Sequence, residues 1–569
     1  MNPGEAFVVS QPPSSWRRWK PRLLDVLPAY GRGDFGHDLV AGVTVGLVAL
    51  PLAMAFGIAS GTTPQAGIYT AIVGGFLVSL FGGSRIQIGG PTGAFVVVVA
   101  GIVAEHGISG MYMVTMMAGV ILMVMAFTGL GTAVRFIPRP IVVGFTNGIA
   151  VLIVSTQIRD FLGLQMADVP SEFFPRLRAY GAAIDTVDPA TLALSAASLV
   201  VIVGTPLLLR RLPGQIVALF AATTAVAVFA LPVETIGSRF GGIPTGFPDL
   251  QLPVFRGDLV VTLLPAAMTV AILAAVESLL SAVVADTMSG DRHNSNAELV
   301  AQGLANVAAP LVGGIPVTGA IARTATNYKA GGRTPIAGLI HALTLLAIVV
   351  VAAPLARYVP MATLAAVLFV VAYNMGEWRA VPDILRLDAT DIAVWFITFA
   401  LTVTADLTVA VEVGMALAAL LYIYRVSQTT VVSLVTDAYI EDGRPHSLQD
   451  KRIPPNVSIV RIQGPFLFGT TENLAEQTAD LSALGTIVVL RLRNMTAIDA
   501  TGLHALEQLA DRLKRSGRTL LLCGAPPQPR KLLERAEFVE HVGKDNILRD
   551  IDDALKRAAA ILSPASKPA

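Results

Sequence analysis

The chain has 569 residues, 54% of them hydrophobic and only 14% charged; a water-soluble domain carries about 25% charged residues, so most of this surface cannot face water. The formal net charge of +1 offers little to a polyanion and argues against nucleic acid as a partner. The single cysteine, Cys523, and seven scattered histidines, from His37 and His106 to His293, His341, His446, His504 and His541, exclude a disulfide framework and show no metal-ligand spacing. No cofactor is indicated.

Residues 1–36 are polar, with Trp16, Arg17, Arg18, Trp19, Lys20 and Arg22 ahead of any apolar run. This is not the pattern of a cleavable signal peptide, so the first apolar segment is expected to be retained. Apolar stretches then recur, each able to cross ~30 Å of hydrocarbon as a helix: near 38–59, 65–82, 111–131, 141–162, 190–209, 214–232, 260–284, 298–313, 334–353, 361–376, 390–405 and 408–425. Two further segments, 91–104 and 318–330, are too short to span alone, and each follows a Gly/Pro-rich break, Gly89-Gly90-Pro91 and Gly313-Gly314-Ile315-Pro316. With fourteen elements, both ends of this region lie on one side. Inner loops would hold roughly sixteen Lys/Arg, among them Arg135, Arg139, Arg210, Arg211, Lys329, Arg333 and Arg425, against roughly six outside, which places both ends in the cytoplasm.

The order of residues repeats. Phe35, Asp38, Leu39 and Val40 are echoed by Phe255, Asp258, Leu259 and Val260, and Gly89-Gly90-Pro91-Thr92-Gly93-Ala94 by Gly313 through Ala320. Two halves of seven elements follow one another; since seven is odd, the second inserts upside down. Inverted repeats with paired broken helices mark transporters, with the binding site at the midplane between them. The expected fold is an α-helical multi-pass protein of the inner (plasma) membrane: fourteen transmembrane elements in a 7+7 inverted repeat over 37–430, after a cytoplasmic N-terminal segment, 1–36.

From 431 onward the composition turns soluble. Val457–Ile462, Ile487–Leu492 and Thr519–Cys523 read as strands, with helical patterns over 472–483, 501–515, 528–535 and 546–562. Alternating strands and helices predict a cytoplasmic α/β domain with a C-terminal tail over 431–569.

Three features carry chemistry. Pro91, Thr92, Gly93 and Ala94 would open one short helix, and Thr318, Gly319 and Ala320 the other. Two such N-termini facing each other form a partly positive pocket with approachable N–H groups, suited to an anion; the alternative is that these glycines only allow close helix packing. Arg323, a turn and a half into the second short helix, is a charge at membrane depth, where function is the default reading; its planar donors suit a carboxylate, sulfate or bicarbonate. Glu277, with Ser278 beside it and Ser281 one turn on, lies deep in the span 260–284. Its proton affinity would depend on access and on anion occupancy, so it could couple protons to transport; otherwise it is a permanent ionised partner of Arg323. Asn147, Gln157, Glu298, Gln302, Asn306, His341, Asp406 and Glu412 are expected near span ends or helix contacts. In the soluble part, Asp499-Ala500-Thr501-Gly502 opens a helix after a strand. A hydroxyl such as that of Thr501 is there first an N-cap and second a place for a regulatory phosphate.

These residues resemble the sulfate permease (SulP) family of anion transporters over nearly the whole chain. The similarity is carried by Glu277-Ser278-Leu279-Leu280-Ser281, His293, Asn296-Ala297-Glu298-Leu299, Gln302-Gly303, Asn306 and Arg323, by Gly90-Pro91-Thr92, and by Leu50-Pro51-Leu52-Ala53-Met54-Ala55-Phe56. The C-terminal part resembles a STAS domain, with Asp499-Ala500-Thr501-Gly502 where related proteins have a phosphorylatable hydroxyl. The resemblance implies a core domain moving against a gate domain, a homodimer, and a substrate pocket between the third and tenth elements. Its pocket positions fall on Phe56, on Thr92, Gly93 and Ala94, and on Gly319, Ala320 and Arg323. Sodium-coupled bicarbonate members of the family have an aspartate and a threonine where Glu277 and Ser281 stand, and a neutral residue at Arg323; a fixed cation there would repel sodium and favours protons as the coupling ion.

The sequence therefore predicts a secondary active transporter for a small inorganic or organic anion (sulfate, bicarbonate or a C4-dicarboxylate), coupled to protons, and not an enzyme. Its STAS domain could hold a cytoplasmic protein partner. A membrane-tethered STAS regulator is the alternative from another class, but an anchor needs neither paired broken helices nor a buried arginine. A nucleobase carrier on the same scaffold would lack both Arg323 and the STAS domain.

Overall fold

Backbone that cannot reach water has to satisfy its own hydrogen bonds, and the long apolar runs do so as helices. The computed structural model describes residues 19–129, 138–166, 169–170, 172–208, 213–243, 250, 253, 256–405, 413–425 except 415, 418 and 422, 429–435 and 453–563. Trp16, Arg17, Arg18, Arg135, Arg210, Arg211, Phe255, Asp406, Glu412 and His446 lie outside the described residues, as does part of the span predicted over 408–425. The chain divides into two units, Met1–Ala416 and Leu417–Ala569.

The first unit contains α1 (Arg32–Ala59), α2 (Pro64–Phe81), the two-residue strand β1 (Gly89–Gly90), α3 (Gly93–Thr128), α4 (Arg139–Leu162), α5 (Pro189–Leu208), α6 (Gly214–Phe229), α7 (Val260–Ser289), α8 (Ser295–Ala308), the strand β2 (Thr318–Gly319), α9 (Ile321–Lys329), α10 (Pro335–Ala356), α11 (Met361–Met375) and α12 (Ala389–Thr404). Among the described residues eight helical segments are long and apolar enough to cross a membrane, counting α11 together with the short helical turns that continue it to Ile384, and α6 and α12 are apolar but shorter.

Two expectations change. The segments 91–104 and 111–131 are joined in α3, which is interrupted only at Gly107, where φ is +68° and ψ −177°. The span predicted over 298–313 is instead the short α8 continued by a 3-10 turn, Ala309–Val312. Its apolar count misleads because Glu298, Gln302 and Asn306 share one face and are all fully buried. Of the two places expected for them, span ends or helix contacts, they take up contacts, and these reach to loops. Glu298 accepts from the amides of Gly83 and Ser84 and from Gln302, and Asn306 holds both the N–H and the carbonyl of Val317.

The helices pack in two groups. In one, α1 packs on α10 and α2, and α3 on α7 and α8; in the other, α4 packs on α11 and α12, and α5 on α6 and α11. The sequence echo around Asp38 and Asp258 does not extend to their surroundings. Asp38 is fully buried and accepts from the backbone of Arg333 and Thr334, from the Thr334 hydroxyl and from Tyr30. Asp258 sits in an exposed turn ahead of α7, paired with Arg256.

The second unit is a five-stranded sheet in the order β3 (Val431–Val435), β4 (Val457–Phe466), β5 (Ile487–Ile498), β6 (Thr519–Cys523), β7 (Ile547–Leu548). The pairs from β4 to β7 are parallel, and β3 is an antiparallel edge. Helices α13 (Thr471–Gln477), α14 (Ala500–Arg515) and α15 (Pro527–Arg535) follow β4, β5 and β6, and α16 (Ile551–Leu562) follows β7. One face of the sheet packs with Leu506, Leu509, Leu513 and Leu533, the other with Ile551, Ala554 and Ala558 of α16. Parallel strands covered on both faces explain the unbroken apolar runs of β5 and β6.

Candidate functional site

The two Gly/Pro-rich breaks meet. β1 and β2 pair antiparallel, Gly89 opposite Gly319 and Gly90 opposite Thr318. Extended backbone inside an apolar body needs partners, and each break supplies the other's. Neither helix begins where the sequence places it: α3 starts at Gly93 with Thr92 as N-cap, and α9 at Ile321 with Ala320 as N-cap. Thr318 and Gly319, expected at a helix start, are drawn into the strand. The amides of Gly319 and Ala320 are consequently occupied, by the Ser278 hydroxyl at 3.0 Å and the Ile88 carbonyl at 2.9 Å. The first N–H groups of a helix have no acceptor within it, so the donors at the two ends are those of Gly93 and Ala94 and of Ile321 and Ala322.

Arg323 lies in the first turn of α9, closer to the break than the sequence reading put it, and is 3% exposed. Its guanidinium donates to the carbonyls of Gly89, at 3.4 Å, and of Pro91. It thus spans the junction from β1 into α3 and bonds to neutral acceptors rather than to a carboxylate. Glycine at 90 is required here: its φ is +139°, and a Cβ would lie 2.5 Å from the arginine's Nη1.

Glu277 is half-buried on α7. Its carboxylate accepts from the Thr92 hydroxyl at 3.0 Å, so Thr92 gives its side chain to Glu277 and not to its own helix. The direct ion pair weighed for Glu277 and Arg323 is not formed; each charge is held by a neutral partner. Ser281 does not join Glu277. It is fully buried and bonds the Thr324 hydroxyl at 3.2 Å, and that hydroxyl accepts from the Ile88 amide. Ser278 and Thr318 bond each other at 2.8 Å, and Thr318 donates to the Ala274 carbonyl. These hydroxyls form a seam that locks both strands onto α7.

Phe56 is buried on α1 near Gly93. A Cβ on Gly93 would approach Ile153 of α4 at 3.1 Å, Met375 of α11 at 3.2 Å and the Phe56 ring at 3.4 Å. Three helices, drawn from both groups, therefore converge on the α3 N-terminus. Ala94 is fully buried in the surrounding apolar core. Ile153, Met375, Thr324 and Gln87 were missed from sequence: the first two carry no chemical signal, while Thr324 directly follows the flagged arginine. Gln87 donates to the Ser278 carbonyl at 3.2 Å and lies against Gly319.

Asn147 and Gln157 are buried on α4, Asn147 accepting from Trp395 of α12. His341 is fully buried on α10 beside Gly75, and neither ring nitrogen makes a well-formed hydrogen bond. Among the described residues no group of three or more His, Cys, Asp or Glu is placed to hold a metal ion.

In the second unit Thr501 is exposed and does not cap α14. Asp499 does, accepting from Gly502 at 2.8 Å and also from Phe468 at 3.0 Å. A carboxylate two residues earlier reaches the amides first. Nearby, His541 beside Asp511 holds that carboxyl below its usual range, and burial pushes the Cys523 thiol up to about 12.

Known proteins match both units. The sulfate permease family profile matches residues 35–398 and the STAS domain profile residues 449–554. YvdB of Bacillus subtilis (strain 168), named for sulfate transport, is 39% identical over 526 residues, covering 92% of this chain and 98% of its own. The bicarbonate transporter BicA of Picosynechococcus sp. (strain ATCC 27264 / PCC 7002 / PR-6) is 32% identical, covering 93% and 95%. Among solved structures, the transmembrane domain of a cyanobacterial BicA superposes with a TM-score of 0.61 at 33% identity, covering 68% of this chain and 98% of its own. Murine Slc26a9, in the inward-facing state, gives 0.85 at 18% identity, covering 98% and 97%, a likeness of fold. These relatives are transporters, not enzymes.

Proposed function

This chain belongs to the sulfate permease family, and on that premise we propose that it is a secondary active transporter of small oxyanions, sulfate or bicarbonate by analogy with its relatives, or a C4-dicarboxylate. The observation that carries the reading is the meeting of two helix N-termini across β1–β2, with Arg323 spanning the junction and Glu277 held at the N-cap of α3. Helix N-termini and a guanidinium attract an anion. The anion would bind between the α3 and α9 ends, against Phe56, Thr92, Gly93 and Arg323, with Ala94, Gly319 and Ala320 shaping the backbone behind. Glu277 is the proton-coupling group, and Ser281 supports the α9 side of the pocket.

The group of α1, α2, α3, α7, α8, α9 and α10 is the core that moves against a gate built from α4, α5, α6, α11 and α12. The 7+7 inverted repeat over 37–430, the inner-membrane setting with both termini cytoplasmic, and a homodimer belong to the same proposal. So do a STAS domain over 431–569 that meets a cytoplasmic protein, and Thr501 as its site of control. Proteoliposomes holding the full chain test it: uptake of labelled sulfate, bicarbonate or fumarate should saturate and should rise with an inward proton gradient. Liposomes that take up none of the panel above the protein-free rate would overturn it.

A further inference from the structure

Where α1 begins, a cavity of about 290 Å³ opens that the anion site does not use, with Arg22, Arg85, Asp25 and Asp34 in its lining. That volume is at the small end for ligand pockets and suits a compact polar group. Three pieces of chain build it. The helical turn Arg22–Val26 brings Arg22 and Asp25, the link between α2 and β1 brings Arg85, and the first turn of α1 brings Asp34. The turn is fastened to the neighbouring helices: the Arg22 amide donates to the Gly82 carbonyl at 2.9 Å, and the Arg22 guanidinium donates to both oxygens of Asp291 in the α7–α8 link. Two positive and two negative side chains thus share one small cavity, and they are not all spent on each other. Arg22 is committed to Asp291, and Asp25 to Lys20. Arg85 is exposed and, among the described residues, forms no ion pair. Asp34 accepts from the Gly31 amide and comes only within 3.7 Å of Arg333, both side chains being partly exposed.

A purely anionic ligand would meet Arg85 but also face Asp25 and Asp34, and like charges brought together are costly. A ligand carrying both charges answers the whole lining. The residues around the cavity say where such a ligand comes from. Leu24 and Leu27, chain neighbours of lining residues, and Phe35, next to Asp34, are 45%, 48% and 49% exposed. Apolar side chains left bare beside charged ones are what a segment lying in the headgroup region of a bilayer presents. We propose that this cavity holds the headgroup of a zwitterionic aminophospholipid, its phosphate toward Arg85 and Arg22, its ammonium toward Asp34, and its acyl chains along Leu24, Leu27 and Phe35. The phosphate accepts from the free guanidinium of Arg85, and the ammonium donates to the Asp34 carboxylate, both charge-assisted. The headgroup then ties the Arg22–Val26 turn to the link that leads into β1. This site is separate from the anion site and rests only on the membrane setting of the function proposed above.

The full chain, purified in detergent and stripped of lipid, is offered dioleoyl phosphatidylethanolamine, phosphatidylcholine or phosphatidylglycerol in mixed micelles, and separately soluble phosphoethanolamine or inorganic phosphate. Native mass spectrometry counts retained lipid, and a thermal melt reads its effect. Phosphatidylethanolamine should bind about tenfold more tightly than the other lipids, the worth of one charge-assisted hydrogen bond, and should raise the melting temperature. Choline has no N–H to donate and glycerol has no cation, and the soluble ions lack the apolar chains. Arg85→Ala should weaken phosphatidylethanolamine binding about tenfold. Arg85→Lys, which keeps the cation, should retain most of it and so guards against a folding defect. Asp34→Asn, still able to accept from Gly31, should bring the three lipids to equal affinity. Equal binding of the three lipids by the wild-type chain, tighter binding of phosphatidylglycerol, no retained phospholipid, or unchanged affinities in Arg85→Ala or Asp34→Asn would each overturn the proposal. Phosphoethanolamine or phosphate binding as tightly as the lipid would overturn it in favour of a soluble ligand. No arm reads anion binding, so failure of the uptake panel bears on the proposed function alone, whereas a chain that does not insert into liposomes removes the membrane setting of both.

Discussion

Replacing Arg323 with alanine should remove saturable anion uptake and leave the protein folded. Two effects decide this. Opposite unit charges about 4 Å apart attract by roughly 4 kcal/mol at an effective dielectric constant of about 20. Every ~1.4 kcal/mol is a factor of ten, so anion affinity should fall by roughly a thousandfold. On the structural side, the Gly89 and Pro91 carbonyls lose their guanidinium donor, about 1 kcal/mol each. Removal of a cation that is 3% exposed offsets part of this by ending its desolvation cost. The net loss of stability should stay at about 2 kcal/mol or less. Arg323→Lys separates charge from geometry: it keeps the cation but lacks the planar fork that reaches two carbonyls, so affinity should recover only in part. Calorimetric anion titration and proteoliposome uptake, beside a thermal melt, read both effects. Wild-type affinity in Arg323→Ala would remove the arginine from the binding site.

Glu277→Gln should abolish the dependence of uptake on an inward proton gradient while one-for-one anion exchange survives, as measured in pH-jump and exchange assays; undiminished proton-driven uptake would leave Glu277 a structural residue. A chain ending at 430 should still bind anion, because Arg323, Glu277 and both strands lie within the unit Met1–Ala416; a folded truncation without binding would contradict that independence. Gly319→Ala should lower the melting temperature, since its Cβ would lie 2.0 Å from Gln87 Nε2 and 3.0 Å from the Ser278 Cα, a misfit of about 1–3 kcal/mol; unchanged melting would mean that Gln87 moves aside. The Cys523 thiol, buried and pushed up to about 12, should stay protonated and unreactive to maleimide near neutral pH until the α/β unit unfolds. Rapid labelling of the native chain would disprove that burial.

Much of this was legible because it follows from simple periodicities. Apolar runs marked α1, α4, α5, α10 and α11 to within a few residues, and the strands β4, β5 and β6 announced themselves as apolar runs between turns. The two Gly/Pro breaks pointed to the candidate site because few other reasons place such residues between long apolar helices. Pairing between those breaks was not legible, since a two-residue strand has no periodicity and its partner lies more than two hundred residues away. That hidden pairing also moved both helix starts and used the Ala320 amide, while the Ser278 hydroxyl took that of Gly319. The polar face of α8 was only half legible: Glu298, Gln302 and Asn306 read as residues near span ends or helix contacts, but nothing local shows that their partners include backbone groups of distant loops. Ile153 and Met375 were invisible, because nothing in an apolar side chain shows that it meets Gly93.

The strand pair also explains why the charges at the site stay unpaired. β1 leads directly into α3, and β2 directly into α9. Their two-residue ladder, bound to α7 by Ser278 and Thr318, fixes the separation of the two helix ends. Arg323 is then claimed by the carbonyls at the β1–α3 junction, and Thr92, immediately beyond, is claimed by Glu277. Each charge thus has a neutral partner that is itself part of the frame, which keeps the two from closing onto each other. An arginine and a glutamate free to pair would neutralise the pocket and exclude an anion. Held apart, they leave the positive ends of α3 and α9 open to the anion of the proposed site. Because the frame joins α3, α7 and α9 within one helix group, it would travel as a unit. In the proposed cycle the access change therefore falls at the boundary where Phe56 and Gly93 meet Ile153 and Met375, and the binding geometry itself is carried across unchanged.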